Sequence, residues 1–224
     1  GPMSAPTPES IAIDGRLRRQ GWELPIERLR IGPGRTAVLG PNGAGKTSLL
    51  RLIAGLEAID DGRVVLRGTT VDDPAASIWI PPSERPVAMV FQDHRLFSHL
   101  RAVDDVAFPL RRRGVGRHEA RARAHELLER LGVADHADEH PHRLSGGQRQ
   151  RVAVARALAR DASILLLDEP LASIDDASRQ TLRDLFTADA APTVVWVTHD
   201  PADAADADAV IALDGDGVGQ TVSP

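Results

Sequence analysis

Residues 36–54 read TAVLGPNGAGKTSLLRLIA, and this stretch decides the fold. A short apolar strand, residues 36–39, leads into a glycine-rich turn, and a helical pattern follows from Lys46 to Ala54. The turn matches the phosphate-loop pattern G-x-x-x-x-G-K-[ST], in which glycines let backbone N–H groups surround phosphate oxygens. The helix N-terminus adds partial positive charge. We therefore expect a nucleotide site, with Lys46 between the β- and γ-phosphates and Thr47 holding Mg²⁺.

Lysine occurs only once in the chain, and it occurs in this turn. Of the 27 basic residues, 26 are arginine and one is Lys46. A guanidinium is bulky and forked, whereas an ammonium is a compact charge on a flexible stem. The single lysine indicates that position 46 needs the compact charge. The residues expected to bind nucleotide in this loop are Gly40, Pro41, Asn42, Gly43, Ala44, Gly45, Lys46, Thr47 and Ser48.

Short apolar runs alternate with helical patterns elsewhere, which indicates an α/β fold with a mostly parallel sheet. Residues 164–167 and 194–197 are wholly apolar, as strands buried on both faces are. Other predicted strands are 11–13, 24–31, 64–66 and 87–91, with a hairpin of 210–213 and 218–222 and a turn at 60–62. Further predicted helices cover 120–131, 145–160 and 175–186.

Composition limits the function classes. The 224 residues are 42% hydrophobic, which is enough for a core, and they contain no cysteine, which excludes disulfides and thiolate metal sites. The net charge of −5 argues against a broad basic surface for nucleic acid. No apolar run approaches the roughly 20 residues that span a bilayer. Residues 1–10 are interpreted as a tag remnant, Gly1-Pro2, followed by a loose arm.

A second chemical motif ends the apolar strand at residues 164–167. The strand runs into Asp168 and Glu169. We expect Asp168 to help hold Mg²⁺ and Glu169 to polarise the attacking water. Two adjacent carboxylates repel each other, and a nearby Mg²⁺ would offset that repulsion.

Residues 144–148 read LSGGQ and carry a family resemblance. Ser145 and two glycines open a helix, which makes a second N-terminus suited to an anion. With the phosphate loop and the acidic strand end in the same order, the chain resembles the nucleotide-binding subunits of ABC transporters over about residues 11–215. The resemblance implies that Ser145, Gly146, Gly147 and Gln148 serve the ATP held by a second copy of the chain.

The resemblance also implies an architecture. It implies a phosphate-loop NTPase core with an N-terminal antiparallel β subdomain and an inserted α-helical subdomain at about 93–160. Residues 11–224 would form one ABC ATPase domain. ATP and Mg²⁺ are the implied cofactors, and ATP hydrolysis coupled to transport is the implied activity.

Three more site residues follow from the resemblance. Gln92 looks like the family's Q-loop glutamine, a ligand of Mg²⁺ and water. His199 matches the switch histidine that contacts the γ-phosphate and orients water with Glu169. Asp175 ends the stretch LASID, which is similar to the family's D-loop.

The adenine contact departs from the family pattern, which usually places an aromatic residue, often tyrosine, upstream of the phosphate loop. The chain has no tyrosine. Trp22 is the nearby aromatic residue, and Arg16 could stack through its guanidinium plane instead. Weak base contact would predict poor discrimination between ATP and GTP.

A histidine-rich stretch before the signature offers an alternative metal site. His136, His140 and His142 lie among acidic residues. Their spacing matches no closed metal site. Relatives often carry a similar stretch with no metal, so a structural role is expected.

Three kinds of ABC protein remain as hypotheses: a transporter ATPase, a DNA-repair or chromosome ATPase, and a translation factor. DNA-repair types insert a long coiled coil, yet Lys46 and Ser145 are only 99 residues apart. Translation types usually carry two such domains. The expected partners are therefore a second copy, a separate permease and, indirectly, a substrate-binding protein, without nucleic acid. The expected location is the cytoplasmic face of the membrane.

The cargo is the least constrained feature. Residues 86–110 look most like molybdate and related oxyanion importers, so import of such an anion is the expectation. Those ATPases usually extend into a C-terminal β-domain. The chain ends at Pro224, so it would be either truncated or a short relative.

Overall fold

The computed structural model of the chain describes residues 9–19, 21–171, 180–181, 192–205, 207–214 and 217–222. Its strands are β1 (Ile11–Arg19), β2 (Trp22–Ile31), β3 (Arg35–Leu39), β4 (Asp61–Leu66), β5 (Thr69–Asp73), β6 (Ile78–Trp79), β7 (Val87–Val90), β8 (Ile164–Asp168), β9 (Thr193–Thr198), β10 (Ala209–Asp214) and β11 (Gly217–Val222). The helices with both ends described are α1 (Lys46–Ala54), α2 (Ala102–Arg112), α3 (Arg117–Arg130) and α4 (Gly146–Leu158).

The central sheet has the strand order β11-β10-β3-β9-β8-β7. Neighbours from β10 to β7 pair in parallel, and β11 pairs with β10 as an antiparallel hairpin. The mostly parallel sheet and the hairpin predicted from the sequence are both confirmed. Every residue of β8 and β9 is buried, as their apolar sequences predicted.

The register aligns the carboxyl ends of four neighbouring strands. Leu39 pairs with Thr198, Val197 pairs with Asp168, and Leu167 pairs with Val90. Because these strands are parallel, the segments that leave them all emerge at the same edge of the sheet. The phosphate loop, Asp168 with Glu169, His199 and Gln92 therefore start side by side.

The central sheet separates two hydrophobic clusters. In β8, Leu165 and Leu167 belong to the cluster that includes helices α2, α3 and α4. The alternate residues Ile164 and Leu166 belong to the cluster that includes α1 and the second sheet. Side chains of a strand point to opposite faces in turn, so one apolar strand supplies both cores.

The second sheet is antiparallel, with the order β2-β1-β4-β5-β6, and the N-terminal β subdomain is confirmed. The predicted turn at residues 60–62 is wrong at two positions, because Asp61 and Gly62 lie inside β4 and pair with β1. A Cβ on Gly62 would lie 2.0 Å from the Asp14 carbonyl oxygen. Glycine is needed here because the backbones of β1 and β4 approach closely at this pair. Strands β5 and β6 were not predicted.

Helix α3 was predicted from its periodicity and α4 from Ser145 as its N-cap, whereas α2 was not predicted. Pro109 lies inside α2 and exposed Phe108 precedes it, so neither fits an amphipathic pattern. Asp105 of α2 is fully buried, and it accepts hydrogen bonds from Arg156 of α4, at 2.9 Å, and from the Phe97 backbone, at 2.6 Å. This ion pair holds the helices together.

The prediction for the start of the chain is wrong at one residue. Residues 1–8 of the predicted arm lie outside the described residues, but Ser10 does not belong to a loose arm. Ser10 is buried, and its hydroxyl lies 2.7 Å from Thr193 Oγ1 because the segment continues into β1. Most of the predicted helix at 175–186 lies outside the described residues. No helix in the described part of the chain has the length and apolar character to cross a membrane.

A buried arginine joins α1 to the antiparallel sheet. The Arg85 side chain is fully buried, and Asp72 lies 3.9 Å away as its ion-pair partner. Its N–H groups donate to the carbonyl oxygens of Leu52, Ile53, Val71 and Ile80, at 2.8 to 3.3 Å. Burial lowers the pKa of Arg85 and raises the pKa of Asp72, so each charge depends on the other and on these hydrogen bonds.

We expect Arg85→Met to lower the free energy of unfolding by about 3–5 kcal/mol, because the change leaves a buried carboxylate and several carbonyl groups without their donor. Denaturant titration measures this loss. Arg111→Met, on the exposed face of α2, is the matched control and should change stability by less than about 0.5 kcal/mol. Equal stability of the two variants would contradict the role of Arg85.

Candidate active site

The phosphate loop lies between β3 and α1, as predicted. Lys46 begins α1 and is only 6% exposed. Its Nζ donates to the carbonyl oxygens of Gly40, at 2.8 Å, and Pro41, at 3.0 Å. Gly45 has a φ of 97° and offers no side chain to cap the first N–H groups of α1. Those groups stay available for an anion.

Two glycines of the loop stand where no side chain fits. A Cβ on Gly40 would lie 2.1 Å from the Leu213 carbonyl oxygen, and one on Gly45 would lie 2.6 Å from the Trp22 ring. A Cβ on Gly43 would meet nothing within 4 Å, although its φ of 85° also favours glycine. The loop is therefore closely packed at Gly40 and Gly45 and open at Gly43.

Thr47 and Asp168 meet across the sheet edge. The Thr47 hydroxyl lies 3.2 and 3.1 Å from the two carboxylate oxygens of Asp168. Burial raises the pKa of Asp168, and the neighbouring Glu169 adds to that rise, while the Thr47 hydrogen bond acts in the opposite direction. A hydroxyl and a carboxylate that are half enclosed in this way form an oxygen donor set of the kind that Mg²⁺ prefers.

Glu169 and His199 form a second pair. His199 Nδ1 lies 3.1 and 3.0 Å from the two carboxylate oxygens of Glu169. The Glu169 backbone has a φ of 50°, which is uncommon for a residue with a side chain, and its N–H donates to Val197. Such a conformation persists only where its surroundings enforce it, and it is frequent at functional sites.

A cavity of about 430 Å³ unites these groups. Its lining residues are Trp22, Asn42, Gly43, Gly45, Lys46, Thr47, Ser48, Gln92, Asp168, Glu169 and His199. Ala44 is buried beneath the loop. Of the two candidates for the adenine contact, Trp22 lines this cavity, whereas Arg16 lies in a different groove and 3.6 Å from Glu23.

The signature residues lie apart from this cavity. Ser145 caps α4: its hydroxyl accepts from the Gln148 N–H at 3.2 Å, and its own N–H donates to the Gln148 side-chain oxygen at 2.8 Å. Gly146 and Gly147 form the first turn of α4. None of these four residues is among those that line the cavity. Asp175 of the predicted D-loop lies outside the described residues.

Two residues that sequence reasoning did not assign connect these parts. Arg156 donates to the carbonyl oxygens of His94, at 3.0 Å, and Arg95, at 2.8 Å, just after Gln92. Arg156 is the one charged residue in the otherwise apolar stretch 152–158 of α4, and this pattern could have marked it in the sequence. His136, considered above as a metal ligand, instead contacts Gln148, and no local sequence signal marks that contact.

Comparison with known proteins gives relatives along most of the chain. The spermidine/putrescine import ATP-binding protein PotA of Thermotoga maritima is 42% identical over 184 residues, which cover 81% of this chain and 48% of PotA. The trehalose/maltose import ATP-binding protein MalK of Thermococcus litoralis is 41% identical, over 83% of this chain and 50% of MalK. The Fe(3+) ions import ATP-binding protein FbpC of Brucella abortus is 39% identical, over 99% of this chain and 63% of FbpC. The chain thus spans 48% to 63% of these relatives.

Solved structures give the same result for the fold. The dimeric structure of MJ0796, a bacterial ABC transporter cassette, matches with a TM-score of 0.77 and 28% identity over 95% of this chain and 98% of that chain. A post-hydrolysis state of the same cassette bound to ADP and Pi matches with a TM-score of 0.78. The family described as ABC transporter matches residues 28–172. Since that match covers more than half of the sequence, the chain belongs to the ABC transporter family.

Proposed function

We propose that this chain is the ATP-binding and ATP-hydrolysing subunit of an ABC importer and that it works as a dimer. The observation that carries the proposal is the meeting of Lys46, the Thr47–Asp168 pair and the Glu169–His199 pair in one cavity at the sheet edge. The names of the relatives, all import ATP-binding proteins, support import.

Each group has a distinct task in this proposal. The open N–H groups of the loop and of α1 bind phosphate oxygens, and Lys46 moves its ammonium group from the Gly40 and Pro41 carbonyls to the β- and γ-phosphates. Glu169 accepts a proton from the attacking water, and His199, held by the same carboxylate, contacts the γ-phosphate. Catalysis in phosphoryl transfer rests mainly on such positioning and charge.

Mg²⁺ fits the oxygen donors of this site. Thr47 and Asp168 would hold the ion together with the side-chain oxygen of Gln92, a residue that lines the same cavity. The ion supplies charge neutralisation on the phosphates when bound.

The place of the signature supports the dimer. Ser145 and Gly147 lie outside the lining of the cavity in their own chain, so the γ-phosphate lacks their contacts there. A second copy facing the first would bring its α4 N-terminus to that phosphate, and two ATP molecules would be enclosed. The matched dimeric cassette structure is consistent with this arrangement.

Glu169→Gln should lower the ATPase kcat by roughly 10²–10⁴, because the amide cannot accept the water proton. The variant should also accumulate as an ATP-bound dimer. Phosphate release measures the first effect, and size-exclusion chromatography with light scattering measures the second, with and without ATP and Mg²⁺.

The exposed carboxylate Glu129 of α3 provides the control, and Glu129→Gln should keep the activity of the parent. Full activity of Glu169→Gln would refute the proposed base. A monomer under all conditions would refute ATP-driven dimerisation of the isolated chain.

Trp22 is the proposed adenine contact. Its ring lines the cavity and lies against Gly45, beside the phosphate loop. Stacking on an aromatic face tolerates different bases, because every base presents a π-face. We therefore expect ATP and GTP to bind with similar affinity.

Trp22→Ala should weaken ATP binding roughly 5- to 150-fold, which corresponds to about 1–3 kcal/mol of stacking. Trp22→Phe should retain most of the affinity. Equilibrium titration with ATP and GTP measures both variants, and Trp79→Ala, on the exposed edge strand β6, is the control. An unchanged affinity of Trp22→Ala would exclude the contact.

The proposed partner is a separate permease at the inner membrane surface, with this chain on its cytoplasmic face. A groove of about 890 Å³ lies between α2, α4 and the core. Phe108, 41% exposed, packs on Phe97 at 5.0 Å between ring centroids and forms its apolar part. Arg95, Arg112 and Arg113 are the exposed arginines of its lining, whereas Arg85 and Arg156 are paired with buried Asp72 and Asp105. Such a groove suits a permease segment with apolar and acidic side chains.

The chain has no cysteine, so Phe108→Cys introduces a single attachment point. With a photoactivated thiol reagent in membranes of the source cell, Phe108→Cys should crosslink to an integral membrane protein, identified by mass spectrometry. Ile78→Cys, at the far edge of the antiparallel sheet, is the control. Equal labelling of one membrane protein from both positions would argue against the groove as the docking site.

The residues of the ATP site do not identify the transported substrate. The names of the relatives give spermidine/putrescine, trehalose/maltose and Fe(3+) ions, so they do not support the molybdate expectation from residues 86–110. A substrate-binding protein and the permease would choose the cargo, while this subunit supplies the ATP-driven motion.

A further inference from the structure

A histidine outside the signature motif lies against its last residue. His136 Nε2 lies 2.8 Å from Gln148 Nε2, and twelve residues separate the two along the chain. We propose that His136 is a positioning residue that fixes the Gln148 amide and, through it, the cap of α4 that the second subunit uses. The proposal deepens the proposed function and rests on it for its catalytic consequence.

The hydrogen-bond donors determine the direction of this contact. Gln148 Oε1 already accepts from the Ser145 N–H at 2.8 Å, so the amide nitrogen must be the end that faces His136. An amide NH₂ only donates. His136 Nε2 must therefore accept, which requires a neutral ring that carries its proton on Nδ1.

Hydrogen bonds on both sides fix the backbone that carries the His136 ring. His136 ends a short 3₁₀ turn that begins at Ala134, and its N–H donates to Val133 at 3.1 Å. Its own carbonyl accepts from the Glu139 N–H at 3.0 Å. The same loop caps α2, because the Ala102 N–H donates to Glu139. The backbone position from which the ring reaches Gln148 is thus fixed.

Fixing the Gln148 amide also fixes the cap that Ser145 forms. With the Gln148 amide fixed, its oxygen holds the Ser145 N–H while the Gln148 N–H holds the Ser145 hydroxyl oxygen, which is a complete capping box. The hydroxyl hydrogen and the first N–H groups of α4 then face outward in one fixed arrangement. Without His136, the amide can rotate and the cap loses its anchor.

The test compares His136→Leu, which removes the acceptor, with His136→Gln, which places an amide oxygen near the position of Nε2. In the Glu169→Gln background, we expect His136→Leu to raise the dissociation constant of the ATP-dependent dimer about two- to tenfold. This is the effect expected from the loss of one neutral hydrogen bond. His136→Gln should restore the dimer. Affinity of the monomer for ATP should change less than twofold, because the contact lies outside the nucleotide cavity.

His142→Leu is the matched control, since His142 is an exposed histidine in the same loop that stacks on His140 at 5.8 Å. Equal impairment of His136→Leu and His136→Gln would overturn the acceptor role and indicate packing alone. Parental dimerisation of His136→Leu would overturn the proposal outright.

A second measurement is independent of the proposed function. Nitrogen-15 NMR of histidine-labelled protein, assigned with His136→Gln, reports which ring nitrogen carries the proton. We expect His136 as the Nδ1–H tautomer with an unprotonated Nε2, and a proton on Nε2 would overturn the contact. Failure of the Glu169→Gln parent to dimerise, with the expected tautomer present, would count against the proposed function and leave the positioning of Gln148 established.

Discussion

The parallel hydrogen-bond ladder that joins β3, β9, β8 and β7 is the interaction on which the site depends. Its register places the ends of these strands side by side, so the groups that leave them converge without any long loop. Thr47 and Asp168 are 121 residues apart in the chain yet within hydrogen-bond distance. A shift of one strand by one residue would turn its apolar side chains to the wrong cluster and separate these pairs.

Two glycines of the phosphate loop are closely packed against neighbouring segments. Leu213 and Trp22 lie so near Gly40 and Gly45 that only glycine fits at these two positions, which restricts the shape of the loop. Burial at the edge of the sheet raises the pKa of Asp168. Two neighbouring carboxylates with little exposure favour a compensating positive charge at this edge of the sheet.

The helices are tied to this edge through few contacts. Arg156, near the end of α4, holds the carbonyl groups that follow Gln92 and the buried carboxylate of Asp105, while Ser145 at the other end of α4 lies outside the cavity lining. A movement of the segment after Gln92 therefore reaches both ends of one rigid helix. This geometry is suited to a subunit in which ATP on one side and a partner on the other are coupled.

The sequence by itself determined the locally encoded parts of the protein. The phosphate loop with α1, the wholly apolar strands with their acidic end and the Ser145 cap are each contained in a short segment, so pattern and motif suffice for them. Gly62 inside β4, Pro109 inside α2 and the contact of His136 with Gln148 were decided only by the tertiary structure. Each depends on residues distant in the chain: the paired strand β1, the hydrophobic cluster that buries α2, and an amide whose oxygen already accepts a hydrogen bond. Local patterns report which face of a segment is apolar, but not which distant group it will meet.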